Sequence, residues 1–144
     1  METQNKVFVN RAFNCSASQL FQWLIDPTLI PLWFGPKQFS IGAVKTDVRV
    51  GGKYTIELQK PGSDNFFIEG EYTEIDAPYK VVFTLRYTGV PAGPPKSMVK
   101  IVLEDVAPNQ SSLSLTQHFE FTPMDMAERT KAWEHMLELL SNKF

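Results

Sequence analysis

The sequence has little of what several functional classes require. In 144 residues there is one cysteine, Cys15, and two histidines, His118 and His135. A lone thiol forms no intramolecular disulfide, which excludes a stapled secreted scaffold. A structural zinc site needs about four ligands from Cys, His or carboxylate at suitable spacing. These three residues stand too far apart to supply one, so both histidines read as solvated and no metal or other cofactor is expected. No apolar run approaches the ~20 residues of a membrane span. The opening Met1-Glu2-Thr3-Gln4-Asn5 lacks the apolar core of a secretion signal, so a soluble cytoplasmic protein is expected. Positive charge is also scarce, with 14 basic against 16 acidic residues and a net charge of -2. Without a basic excess there is no long-range attraction to phosphate backbones or anionic lipid, and nucleic acid is not an expected partner.

What is present is apolar and aromatic. Hydrophobic residues make up 43% of the chain and aromatics 12%, including 11 Phe and 3 Trp. That supplies a full core at a length near the commonest domain size, so residues 1–144 read as one domain.

The segment 6–13 is rich in β-formers (Val7, Phe8, Val9, Phe13) and reads as an opening strand. Ser16 followed by Gln19 fits a capping box, and Leu20, Phe21, Leu24 and Ile25 recur at helical spacing, which predicts a short helix ending before Pro27. Asp26-Pro27 can open a second short helix, kept brief by Pro31 and Gly35-Pro36, with Trp33 and Phe34 at its end as a rim or lid. Strands are then expected at about 39–48, 52–59, 65–76, 79–87, 97–106 and 111–121. Turn residues at 48–52, 60–65, 76–78 and 108–110 separate them, and such short connections favour an antiparallel meander.

Alternation assigns the faces. Ile56, Leu58, Ile68, Gly70, Tyr72, Val81, Phe83, Leu85, Val99, Ile101, Leu103, Leu113, Leu115, Gln117 and Phe119 share one side. Lys53, Glu57, Glu69, Glu71, Arg86, Lys100, Glu104 and His118 share the other. One face is therefore wet and the other covered. The cover is the segment 124–142, where Met126, Thr130, Trp133, Leu137 and Leu140 recur at three- and four-residue steps with Met136 alongside. Such a helix spans roughly 28 Å, enough to cross the sheet.

Chemistry-bearing patterns are sparse. Glu69 and Glu71 lie on the wet face, where water keeps both ionised, whereas acid–base work needs surroundings that push the two apart. Gly51-Gly52-Lys53 precedes a strand, not the helix that a phosphate loop opens, and reads as a turn. Cys15 lacks a neighbouring histidine in sequence and reads as a packed thiol. No catalytic residue is assigned. More informative are the inward polar groups Tyr54, Tyr72 and Gln117, with Arg11 as a possible companion. They either pair with one another and with water or orient a ligand. The Pro- and Gly-rich stretch 88–96 is either a passive loop or a flap over a cavity mouth.

The order strand, two short helices, long meander and long terminal helix resembles the α+β helix-grip fold of START-like (SRPBCC) and birch-pollen-allergen-like proteins. In that fold a curved antiparallel sheet of about seven strands wraps a C-terminal helix. More narrowly the chain resembles the family named for the activator of the heat-shock-protein-90 ATPase, as a stand-alone C-terminal-type domain. The resemblance rests on Asp26-Pro27 with Trp33-Phe34-Gly35-Pro36, on Asp47-Val48-Arg49-Val50-Gly51-Gly52-Lys53-Tyr54, on Phe67-Ile68-Glu69-Gly70-Glu71-Tyr72, and on Ala132-Trp133, where relatives often carry Gly before the Trp.

The resemblance implies a cavity for an apolar or amphipathic small molecule. With the aromatic-rich inner face, it makes Trp33, Tyr54, Tyr72, Phe83, Ile101, Gln117, Phe119, Trp133, Met136, Leu137 and Leu140 the expected lining. It also implies an alternative role as a protein-interaction or chaperone-accessory domain linked to stress, and a third as an enzyme of the cyclase or aromatase type. Binding without catalysis ranks first. The expected partners are an apolar small molecule, then a chaperone or other protein, and the chain is expected as a monomer or homodimer.

Overall fold

The computed structural model describes residues 5–35, 39–89, 95–121, 123 and 126–144. Strand β1 (Lys6–Phe13) leads into helix α1 (Ala17–Ile25) and a single 3₁₀ turn (Ile30–Leu32). Six strands follow: β2 (Ser40–Thr46), β3 (Lys53–Gln59), β4 (Phe66–Asp76), β5 (Lys80–Thr88), β6 (Ser97–Ala107) and β7 (Gln110–Phe119). Helix α2 (Met126–Ser141) closes the chain. Its expected first residue, Met124, and Asp125 lie outside the described residues.

All seven strands form one antiparallel sheet in the order β1-β7-β6-β5-β4-β3-β2. β2 to β7 are the expected meander, but β1 sits at the far edge beside β7. The α1 segment therefore carries the chain from one edge of the sheet to the other, across its end. The ladders slip between Ile41 and Val44, between Tyr72 and Glu74, and between Asp105 and Ala107. Such bulges bend a strand and increase its twist, which curves the sheet. The slip after Tyr72 also shifts the parity of β4: Tyr72 faces Phe83 and Ile75 faces Val81, so both point inward although three residues apart.

The alternation holds across the sheet. One inner row runs Val9, Leu115, Ile101 and Val81; the next runs Val7, Gln117, Val99, Phe83 and Tyr72. On the outer side Lys53, Glu71, Arg86, Lys100, Glu104 and His118 are exposed. Trp133, Met136, Leu137 and Leu140 form the buried face of α2.

Ser16 caps α1 as expected, its hydroxyl accepting from Gln19 N–H at 3.1 Å. A second acceptor comes from β6, where the Asp105 carboxylate takes the Ala17 N–H at 2.8 Å. The expected second short helix is the 3₁₀ turn, with Trp33 and Phe34 at its end. The Asp26 carboxylate accepts from the backbone N–H and the hydroxyl of Thr28, at 2.8 and 2.7 Å, and supports the turn that leads into it.

Candidate functional site

The site lies where the sheet, the 3₁₀ turn and α2 meet. α2 comes nearest the sheet at β1, and α1 at β6 and β7. Neither backbone approaches β3, β4 or β5 as closely, and the interval there is filled by rings. Tyr54, Tyr72 and Phe83 form a triangle with centroids 5.5–6.2 Å apart, mostly edge to face. Phe34 meets Trp33 and Trp133 edge-on at 5.6 and 6.0 Å. Edge-to-face rings satisfy the ring quadrupoles, yet leave wedges that branched aliphatic side chains would fill.

Two such spaces lie among the described residues. The first, about 40 Å³, is lined by Leu24, Ile30, Trp33, Phe34, Tyr54, Ile56, Tyr72, Val81, Phe83, Leu85, Ile101 and Trp133. The second, about 50 Å³, lies against Gln117, Phe119, Met136, Ala132, Tyr87, Pro95 and Arg129. Phe34, Leu85 and Trp133 border both and form the partition between them. Of the three, Leu85 and Trp133 are buried and Phe34 is half-buried. The backbone around Phe34 is held at both ends: its N–H donates to Ile30 O at 3.0 Å, and Gly35 N–H meets Met136 Sδ at 3.2 Å. Its side chain is the least buried of the three.

Trp33, Tyr54, Tyr72, Phe83, Ile101 and Trp133 of the expected lining meet at the first space. Gln117, Phe119 and Met136 meet at the second. Leu137 and Leu140 are wholly buried under α2 and line neither. Sequence reasoning left out Leu24, Ile30, Phe34, Ile56, Val81 and Leu85 as lining. The strand parity already carried Ile56, Val81 and Leu85. Leu24 and Ile30 depend on where α1 docks, which no local pattern states. The flap reading of 88–96 falls largely on 90–94, outside the described residues.

The inward polar groups divide. Gln117 Oε1 accepts from the Trp133 indole N–H at 2.7 Å, and Gln117 Nε2 donates to Ser97 Oγ at 2.9 Å, fastening α2 to β6 and β7. Tyr54 crosses β4 to donate its hydroxyl to Thr84 O of β5 at 2.7 Å. Gly70 lies beneath it, and any Cβ there would run into the Thr84 carbonyl and the Tyr54 ring. The β4–β5 ladder parts at this point, and Glu71 N–H donates to the Thr84 hydroxyl oxygen instead, at 2.9 Å. The Tyr72 ring is buried, but its hydroxyl is not among the buried polar atoms left without a partner; among the described residues that atom is Ser111 Oγ. Arg11 is half-buried on β1 and lines neither space. Burial, with lesser contributions from Tyr72, Tyr87 and Glu69, pushes the Tyr54 phenol well above its usual value. Burial, then the charge of Asp47, pushes Tyr72 up to about 12. Both are neutral donors at physiological pH. Burial also raises the Cys15 thiol, which leaves it protonated and inert.

Among the described residues, no three His, Cys, Asp or Glu side chains are placed to hold a metal ion, and no helix is long and apolar enough to cross a membrane. The family model described as Activator of Hsp90 ATPase homolog 1-like protein matches residues 14–144. The chain belongs to that family. Its fold recurs in protein CV1439 from Chromobacterium violaceum, with a TM-score of 0.83 at 22% identity over 96% of this chain and 95% of that one. Protein NE0264 from Nitrosomonas europaea matches with a TM-score of 0.80 at 18% identity over 99% and 95% of the two chains. CalU16 from Micromonospora echinospora matches with a TM-score of 0.67 at 21% identity over 94% and 73%. These likenesses show that the fold recurs in those proteins. No curated protein matches it in sequence.

Proposed function

We propose that this Activator of Hsp90 ATPase homolog 1-like protein binds an apolar or amphipathic small molecule between its sheet and α2. The observation that carries this reading is the pair of mainly apolar spaces whose shared border, Phe34, Leu85 and Trp133, includes one half-buried ring, Phe34. A benzene-sized guest needs roughly 150 Å³, more than either space offers. Swinging Phe34 aside vacates the volume of a phenyl ring and opens its side of the border, with Leu85 and Trp133 still in place. A guest ring in that position inherits the edge contacts that Phe34 makes with Trp33 and Trp133. Phe34 is then an internal stand-in for the ligand, displaced when the ligand arrives.

The deciding experiment is native mass spectrometry of the protein purified from its own cells, alongside the Phe34→Ala variant. The reading expects a retained small molecule, held more tightly by the variant, whose ring site stands open. If neither protein retains a ligand, and Phe34→Ala takes up no apolar ring compound in solution, the reading fails. The family's description keeps a chaperone-accessory role as the second reading. It expects a change in the chaperone's ATPase rate on addition of this protein, undiminished by Phe34→Ala.

A further inference from the structure

The two edges of the sheet are finished differently. At one edge the ladder of β2 slips between Ile41 and Val44, and the Glu57 carboxylate stands in the gap, accepting the Ala43 N–H at 3.1 Å. A bulge of this kind turns an edge away from an incoming strand. β1, at the opposite edge, has no such device. Its ladder with β7 runs from Lys6 to Phe13 without a slip, and it holds no glycine, proline or acidic residue. Lys6 and Arg11 are its only charges, and the stretch from Val7 to Asn10 between them is uncharged.

One bond fixes the direction of its backbone groups. Phe119 N–H donates to Asn5 O at 2.9 Å, so these two form a hydrogen-bonded pair, and in an antiparallel ladder such pairs recur at every second residue. Val7, Val9, Arg11 and Phe13 therefore turn N–H and C=O toward β7. Lys6, Phe8, Asn10 and Ala12 turn theirs away from the sheet. All four are exposed, and among the described residues no hydrogen bond is made to those outward groups. The Phe8 ring, 60% exposed, stands on the outer face beside them.

We propose that β1 pairs antiparallel with β1 of a second copy, about a two-fold axis at Val9, and makes one continuous sheet across two molecules. In that register Lys6 meets the partner's Ala12 and Phe8 meets the partner's Asn10. The symmetry repeats both pairs in reverse, so every outward N–H and C=O of the four residues finds a partner in both copies. A two-fold axis at Phe8 would leave Ala12 outside the paired stretch, and one at Asn10 would leave Lys6 outside it. The side chains agree with the axis at Val9. Phe8 lies diagonal to the partner's Phe8 at roughly 7 Å, within reach of a ring. Arg11 lies across from Val7 on the inner face and Lys6 across from Ala12 on the outer. Lys6 and the partner's Arg11 are neighbours along the seam but point to opposite faces, so no like charges oppose each other. This interface is independent of the ligand site.

Sedimentation velocity of the full chain over a range of concentrations tests it. The expected result is a shift with concentration from 16.4 kDa to twice that mass. Asn10→Pro removes an outward N–H, a change that an edge strand tolerates. Two net hydrogen bonds are lost per dimer, so the dissociation constant should rise about tenfold or more while the thermal midpoint of the monomer is kept. Phe8→Lys alters only an exposed side chain and should also weaken the dimer, which keeps the test decisive if the proline variant does not fold. Disulfide trapping reads the register: Phe8→Cys mixed with Asn10→Cys should cross-link faster than either variant alone, with Cys15 buried and silent. A chain that stays at 16.4 kDa throughout overturns the proposal, even if it captures a strand of another protein. So does a dimer unaffected by Phe8→Lys and by a folded Asn10→Pro. Fastest cross-linking by either cysteine variant alone overturns the axis at Val9.

Discussion

The two halves of the interior are built on different principles. Around β1, β6 and β7 the inner rows are aliphatic: Val7, Val99, Leu113 and Leu115 are wholly buried, with Leu20 of α1 and Leu137 and Leu140 of α2 set among them. Branched side chains on opposed surfaces interdigitate to crystal-like density. Around β3, β4 and β5 the rings of Tyr54, Tyr72 and Phe83 stand among aliphatic residues of the inner surface, the β4–β5 ladder parts at Thr84, and the first space remains. Rings bury more area per residue but fit only at certain angles, so the same apolar content leaves gaps. One half holds the fold together; the other leaves room for a guest.

The comparison predicts an asymmetry under truncation. Leu115→Ala, in the filled half, should cost about 4 kcal/mol, since a tight surround relaxes little around a new cavity. Phe34→Ala, beside existing space and half-exposed, should cost less than half as much. Denaturant midpoints at constant slope measure both, and equal losses would erase the distinction between the halves. The open half has one point of tight fit. Gly70→Ala should cost about 3 kcal/mol, because its Cβ meets a backbone carbonyl that cannot move without disturbing β5. A negligible loss would mean that the Tyr54 crossing is not fixed by Gly70.

A smaller effect is expected at the seam between the halves. Gln117→Leu leaves the Trp133 indole N–H buried without an acceptor, a loss of about 2 kcal/mol in thermal or chemical unfolding. The two tyrosines should differ least and most tellingly. Tyr54→Phe gives up a hydrogen bond worth about 1 kcal/mol, whereas Tyr72→Phe should be nearly neutral. Their raised phenols also set a pH dependence. The native state disfavours ionisation, so stability is unaffected near neutral pH and falls as pH rises from the ordinary 10.0 toward the Tyr72 value of about 12. Unfolding midpoints followed into that range should decline, and Tyr54→Phe should flatten the decline.

Much of this was legible locally. Two-residue alternation named the inner face of β3 to β7, and the three- and four-residue steps of Trp133, Met136, Leu137 and Leu140 named the buried side of α2. Both periodicities follow from backbone geometry, which acts within a few residues. The bulge after Tyr72, which turns Ile75 inward, broke the count because an extra residue in a ladder leaves no mark on composition. The cap of α1 was half legible: Ser16 stands next to its helix, while Asp105 is separated from Ala17 by 88 positions and meets it only after β6 is in place.

The sequence by itself determined which side chains face inward, that this face is rich in aromatics, and that Tyr54, Tyr72 and Gln117 would point inward with them. Only the tertiary structure decided which of those polar groups were already spoken for. Gln117 and Tyr54 find partners on other elements. The placement of β1 beside β7, the position of Phe34 between two spaces and the parting of the ladder over Gly70 were likewise settled there. The reason is physical. Facing is a property of one strand or helix, whereas pairing and filling are properties of surfaces that meet only when the sheet has curved and α2 has closed over it.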